Sequence, residues 1–96
     1  MKSQFELAWA LANAETPRLK VVDRNRIYAE IGAGDTYSAI KRLLIYAART
    51  GFPLSTELIW DIRCWLRGYI ATPDEPRLRQ LVEGLQSPRR QGLGAQ

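Results

Sequence analysis

The sequence predicts a single all-α domain of four to five short helices. Three observations predict it. Apolar residues recur at three- and four-residue spacing along most of the chain. Ser, Thr or Asp precedes the periodic stretches, and Gly or Pro follows them, which are helix start and stop signals. The chain has 96 residues, 46% hydrophobic and 25% charged, the balance of one globular domain.

Helix one is read from about Gln4 to Glu15. Ser3 caps it, and Glu6 three residues later completes a capping box. Between Phe5 and Ala12 only Glu6 is charged, so burial on more than one side is expected. Lys2, this apolar stretch and Ala12-Asn13-Ala14 loosely mimic a secretory signal, but Glu6 interrupts the run. An ordinary first helix is the expectation, ended by Thr16-Pro17.

Arg18 to Val22 reads as a short strand or an extended connector, and a hairpin with Ile27–Ile31 is conceivable. The preferred reading is a second helix capped by Asp23, with Ile27 and Ile31 on one face. Gly32 and Gly34 stop it. Helix three starts after Asp35 and runs to about Thr50, with Ile40, Leu43, Leu44 and Ala47 as its core stripe. Gly51-Phe52-Pro53 ends it.

Helix four is capped by Ser55 or Thr56 and runs to about Ala71. Leu58, Ile59, Ile62, Trp65, Leu66, Tyr69 and Ile70 form one broad apolar face, and Trp60, Cys64 and Gly68 line another. Thr72-Pro73-Asp74-Glu75 reads as a capping box for helix five, with Pro76 as an awkward neighbour that delays the start. Leu78, Leu81, Val82 and Leu85 make its stripe. The helical domain is therefore set at 1–86 and a disordered basic tail at 87–96.

Composition narrows the functional classes. The formal net charge is +4, carried by eleven Arg and three Lys, which favours an anionic partner. There is no histidine, so every His-based catalytic triad is excluded. Cys64 is the only cysteine, which leaves it without an intrachain disulfide partner and suits a small buried hydrophobe. Gly32-Ala33-Gly34 lacks the Lys and Ser/Thr of a phosphate-binding loop. No enzymatic activity, metal, cofactor or small-molecule substrate is expected. No apolar run reaches the ~18 residues of a membrane span, so a cytoplasmic protein with no membrane partner is expected.

The stretch from Ile27 to Ala48 has the outline of a helix-turn-helix. With Gly34 as the turn glycine, Ile40 and Leu43 fall six and nine residues on, where that motif needs apolar side chains. The small residue expected four positions before is Glu30 instead, with Ala29 one off. Bacterial and phage genomes contain many helix pairs of this outline, and an ordinary glycine-terminated helix hairpin shares it. For a DNA partner, Thr36, Tyr37, Ser38, Lys41 and Arg42 would face the major groove. Lys41 or Arg42 would read guanine edges, and Arg24, Arg26 and Arg49 would hold phosphates.

Helix four carries the competing signal. Glu57 and Asp61 lie four apart, as do Arg63 and Arg67, so the opposite charges belong on other elements or another chain. Trp60 and Trp65 point about 140° apart, so one faces the core while the other meets a second wall or a partner. A protein interface or homodimer through Trp60, Trp65, Arg63 and Arg67 is the alternative expectation.

Overall fold

In a computed structural model, which describes residues 2–86, the regular elements are helical. Five α-helices follow in order: α1 (Gln4–Glu15), α2 (Val21–Gly32), α3 (Thr36–Thr50), α4 (Thr56–Leu66) and α5 (Glu75–Glu83). Single 3-10 turns, Thr16–Arg18 and Arg67–Tyr69, follow α1 and α4. The protein is thus all-α. The tail expected at 87–96 lies outside the described residues.

Helix α3 is the centre of the packing and touches α1, α2 and α5. Its Ala39, Ile40, Leu43, Leu44 and Ala47 are all buried, the expected stripe widened by one alanine. Asp35 caps its start by accepting from the backbone N–H of Ser38. Gly51, at φ 69°, closes its end. Helix α1 lies against α2, α3 and α4, as its two-sided apolar pattern requires. The capping box of Ser3 and Glu6 is formed in both directions, at 3.1 and 2.9 Å.

The turn between α2 and α3 is a Schellman-type closure. Asp35 N–H donates to Glu30 O and Gly34 N–H to Ile31 O. Gly34 sits at φ 84°, the left-handed conformation that L side chains avoid. Beyond α3, Leu54 N–H donates to Gln86 O, which ties the end of the described chain to the α3–α4 connector.

Three boundaries differ from expectation. Helix α2 starts at Val21, not after a cap at Asp23. Lys20 is the extended residue before it, and no side chain caps the helix. Asp23 sits inside the first turn, where its charge complements the helix dipole. Val21 and Val22 are exposed, so their β-branched pair marks neither a strand nor a core. Helix α4 ends at Leu66, five residues early, where the 3-10 turn takes over and leads to Ala71 at φ 70°. Thr72 is not a helix cap. Its hydroxyl donates back to Tyr69 O, and α5 begins at Glu75.

Candidate functional site

Helices α2 and α3 diverge enough to leave a groove of about 440 Å³ between them. Leu19, Ile27, Leu43 and Ile45 contribute its apolar wall, and Arg26, Arg42, Arg49 and Tyr46 line it with polar groups. Asp23 is the one acid in that lining. The three guanidinium groups come together because Arg42 and Arg49 are seven residues apart on one face of α3, while Arg26 is on the side of α2 that faces them. Arg24, two residues earlier, is about 200° away around α2 and does not line the groove.

The charge distribution concentrates on the same segment. Residues 18–50 hold seven bases against three acids, whereas the rest of the chain holds seven against seven. The whole excess of +4 therefore belongs to the α2–α3 segment. One of its acids is already engaged, since Arg42 Nε donates to both carboxylate oxygens of Glu30 at 3.0 Å. This pair occupies the place where the helix-turn-helix outline calls for a small residue. Arg42 remains exposed, and such surface pairs contribute only ~0.2–1 kcal/mol, so an incoming anion competes with Glu30 easily. Arg26 and Arg49 are exposed and have no ion pair among the described residues.

Two residues of the first turn of α3, Thr36 and Tyr37, are engaged within the fold. Thr36 is buried, and its hydroxyl accepts from Gln4 Nε2 at 2.8 Å. Tyr37 stacks against Trp65 and Tyr69, with ring centroids 6.1 and 5.3 Å away. Its hydroxyl donates to Asp74 at 2.5 Å. Partial burial, reinforced by that carboxylate, pushes the Tyr37 phenol up to about 12, so it stays a protonated donor. The Lys41 ammonium lies 5.9 Å from the Tyr37 ring centre. Of the expected α3 contacts, Thr36 and Tyr37 are thus engaged within the fold. Ser38, Arg42, Ile45 and Arg49 form the outward stripe, at helical spacing, with Lys41 beside it.

Gln4 is the hub of this inner cluster, and nothing in the sequence pattern marks it. Its side-chain oxygen accepts from Trp65 Nε1 at 2.8 Å and from the Tyr69 hydroxyl at 2.7 Å, while its amide serves Thr36. Trp65 is therefore the tryptophan that faces inward, and Trp60 is the one that faces out, 60% exposed. Asp61 finds its opposite charge on Lys2, 3.0 Å away. Arg63 and Arg67 are exposed and find none among the described residues.

Glu15 is a second residue that sequence reasoning missed. It is fully buried, and neither of its carboxylate oxygens has a partner. Burial alone pushes its carboxyl up to about 9, so it is held neutral. The signal was present: Glu15 continues the stripe of Leu7, Ala8, Leu11 and Ala12 at the i+3 and i+4 positions.

No group of three or more His, Cys, Asp or Glu side chains among the described residues is arranged to hold a metal ion. No helix there is long and apolar enough to cross a membrane. Comparison of the chain with protein-family models, with curated proteins and with solved structures finds no match.

Proposed function

We propose that this chain is a non-enzymatic nucleic-acid-binding domain that takes the phosphate backbone of DNA along the α2–α3 face. The observation that carries the reading is the confinement of the entire positive excess to residues 18–50, with Arg26, Arg42 and Arg49 around one groove. Guanidinium groups bind phosphate through two parallel hydrogen bonds, and neutralising phosphates releases counterions. In this reading Arg26 and Arg49 hold phosphates. Arg42 joins them by exchanging Glu30 for the ligand, with Ser38 on the same outward stripe and Lys41 beside it. Thr36 and Tyr37 support the helix from inside instead of touching bases. Contacts to the backbone then dominate over base reading, and affinity depends on salt more than on sequence.

The test is fluorescence anisotropy of a labelled duplex at several salt concentrations. The expected result is binding at low salt that weakens with a log–log slope of about −0.9 per phosphate contact. Arg26→Ala with Arg49→Ala should lower affinity at least about tenfold and flatten that slope by nearly two contacts. Absence of binding at low salt, or an unchanged slope in the double variant, overturns the proposal.

A second reading, a protein-interaction module, is favoured by one observation: Trp60 is 60% exposed, near Arg63 on α4 and Arg67 just beyond it, neither of which has an ion pair among the described residues. Exposed tryptophan with arginine is the composition of interface hot spots.

A further inference from the structure

The outer face of α4 carries Glu57, Trp60 and Cys64, and Arg67 follows at the start of the 3-10 turn, at spacings of three, four and three residues. That is the a/d spacing at which one helix packs along another. Trp60 is its large exposed side chain. The charges at its two ends are opposite, Glu57 at the start and Arg67 just past the last turn. Neither has an ion pair within 4 Å among the described residues, although the Lys2 ammonium, held by Asp61, also feels the Glu57 charge. The inner side of the helix, by contrast, is fully engaged: Leu58 and Ile62 are buried, Asp61 holds Lys2 and Trp65 holds Gln4.

We propose that this face is a two-fold interface between two copies of the chain, with the α4 helices antiparallel. Ile62 lies midway between 57 and 67, and also midway between 60 and 64. A two-fold axis crossing the outer face at that level sets Glu57 against the partner's Arg67, and Arg67 against the partner's Glu57. The same axis sets Trp60 against the partner's Cys64, so the large side chain meets a small one. A parallel pairing would set Glu57 on Glu57 and Arg67 on Arg67, and repulsion disfavours it. A partner with an acidic segment would satisfy Arg63 and Arg67 but would meet Glu57 in the same seam. A second copy supplies both signs in the right order. Arg63 stays at the rim, in water. Eleven residues of helix span about 16 Å, so the contact is small and the association is a weak one. The groove between α2 and α3 includes no residue of α4, so this interface does not depend on the nucleic-acid reading.

Sedimentation velocity over a micromolar to millimolar loading range tests the interface. The wild-type mass should rise with concentration towards twice 10.9 kDa. Arg67→Glu alone and Glu57→Arg alone should each weaken the dimer at least about tenfold, because the two-fold axis makes every change act twice. Glu57→Arg combined with Arg67→Glu should restore it. Both positions are exposed, and an unchanged helical circular dichroism spectrum confirms that each variant folds. A wild-type chain that stays monomeric throughout the range overturns the proposal. So does a charge swap that fails to restore the dimer, and that result with retained binding of an acidic peptide would assign the face to a foreign partner.

Discussion

Replacing Glu15 by glutamine should leave the fold intact and change how its stability depends on pH. The Glu15 carboxyl is fully buried without a partner and ionises only at about 9 when folded. In the unfolded chain it ionises near 4.5. Between these values the folded state keeps a proton that the unfolded state releases. Because the folded value is the higher one, the stability is fully present below 4.5 and is lost as pH rises through the folded value. The slope is about −1.4 kcal/mol per pH unit, and by pH 7 the loss is about 3 kcal/mol. Glutamine has the same shape and no proton to lose. Its amide is as unpartnered as the neutral carboxyl, so the two chains should match near pH 4.5 and diverge above it. Urea unfolding followed by circular dichroism at pH 5, 6, 7 and 8 measures this. Glu6, pulled below its ordinary value by the backbone N–H and hydroxyl of Ser3, loses its contribution only as pH falls below about 4.5, and does so in both chains. Parallel stability profiles for wild type and Glu15→Gln between pH 5 and 8 would refute the reasoning.

Two further outcomes follow from local geometry. Gly34→Ala should destabilise by ~1–2 kcal/mol through the left-handed backbone at φ 84°, since an added Cβ meets nothing within 4 Å. Gly32→Ala, equally open but within α2, should stabilise by up to ~1 kcal/mol, and thermal melts of the pair should move in opposite directions. Gln4→Ala removes the acceptor shared by Trp65 and Tyr69 and should cost ~1–3 kcal/mol, with a change in tryptophan emission that Gln4→Glu lacks.

Helices α1 and α3 were legible in the sequence because their signals are local: a capping box at Ser3 and Glu6, an aspartate cap at Asp35, a closing glycine at Gly51. The start of α2 was not, because Lys20 offers no capping side chain and nothing polar announces the first turn. The end of α4 is not legible because Trp65, Leu66, Tyr69 and Ile70 continue the apolar pattern past the point where the backbone turns. The groove was half legible. Periodicity along α3 places Arg42 and Arg49 on one face, but only the packing of α2 on α3 brings Arg26 to them and sends Arg24 elsewhere. Gln4 carried no signal at all, because its importance lies in contacts 32, 61 and 65 residues away.

Those contacts set the order in which the chain can fold. The first helix is made early, but the groups that satisfy Gln4 come from α3 and from the end of α4. Leu7 and Leu11 likewise wait for α3 before they leave water. On a ribosome the apolar side of α1 therefore stays uncovered until α3 has emerged, at about half of the chain, and the Gln4 hydrogen bonds close only after the end of α4 has followed.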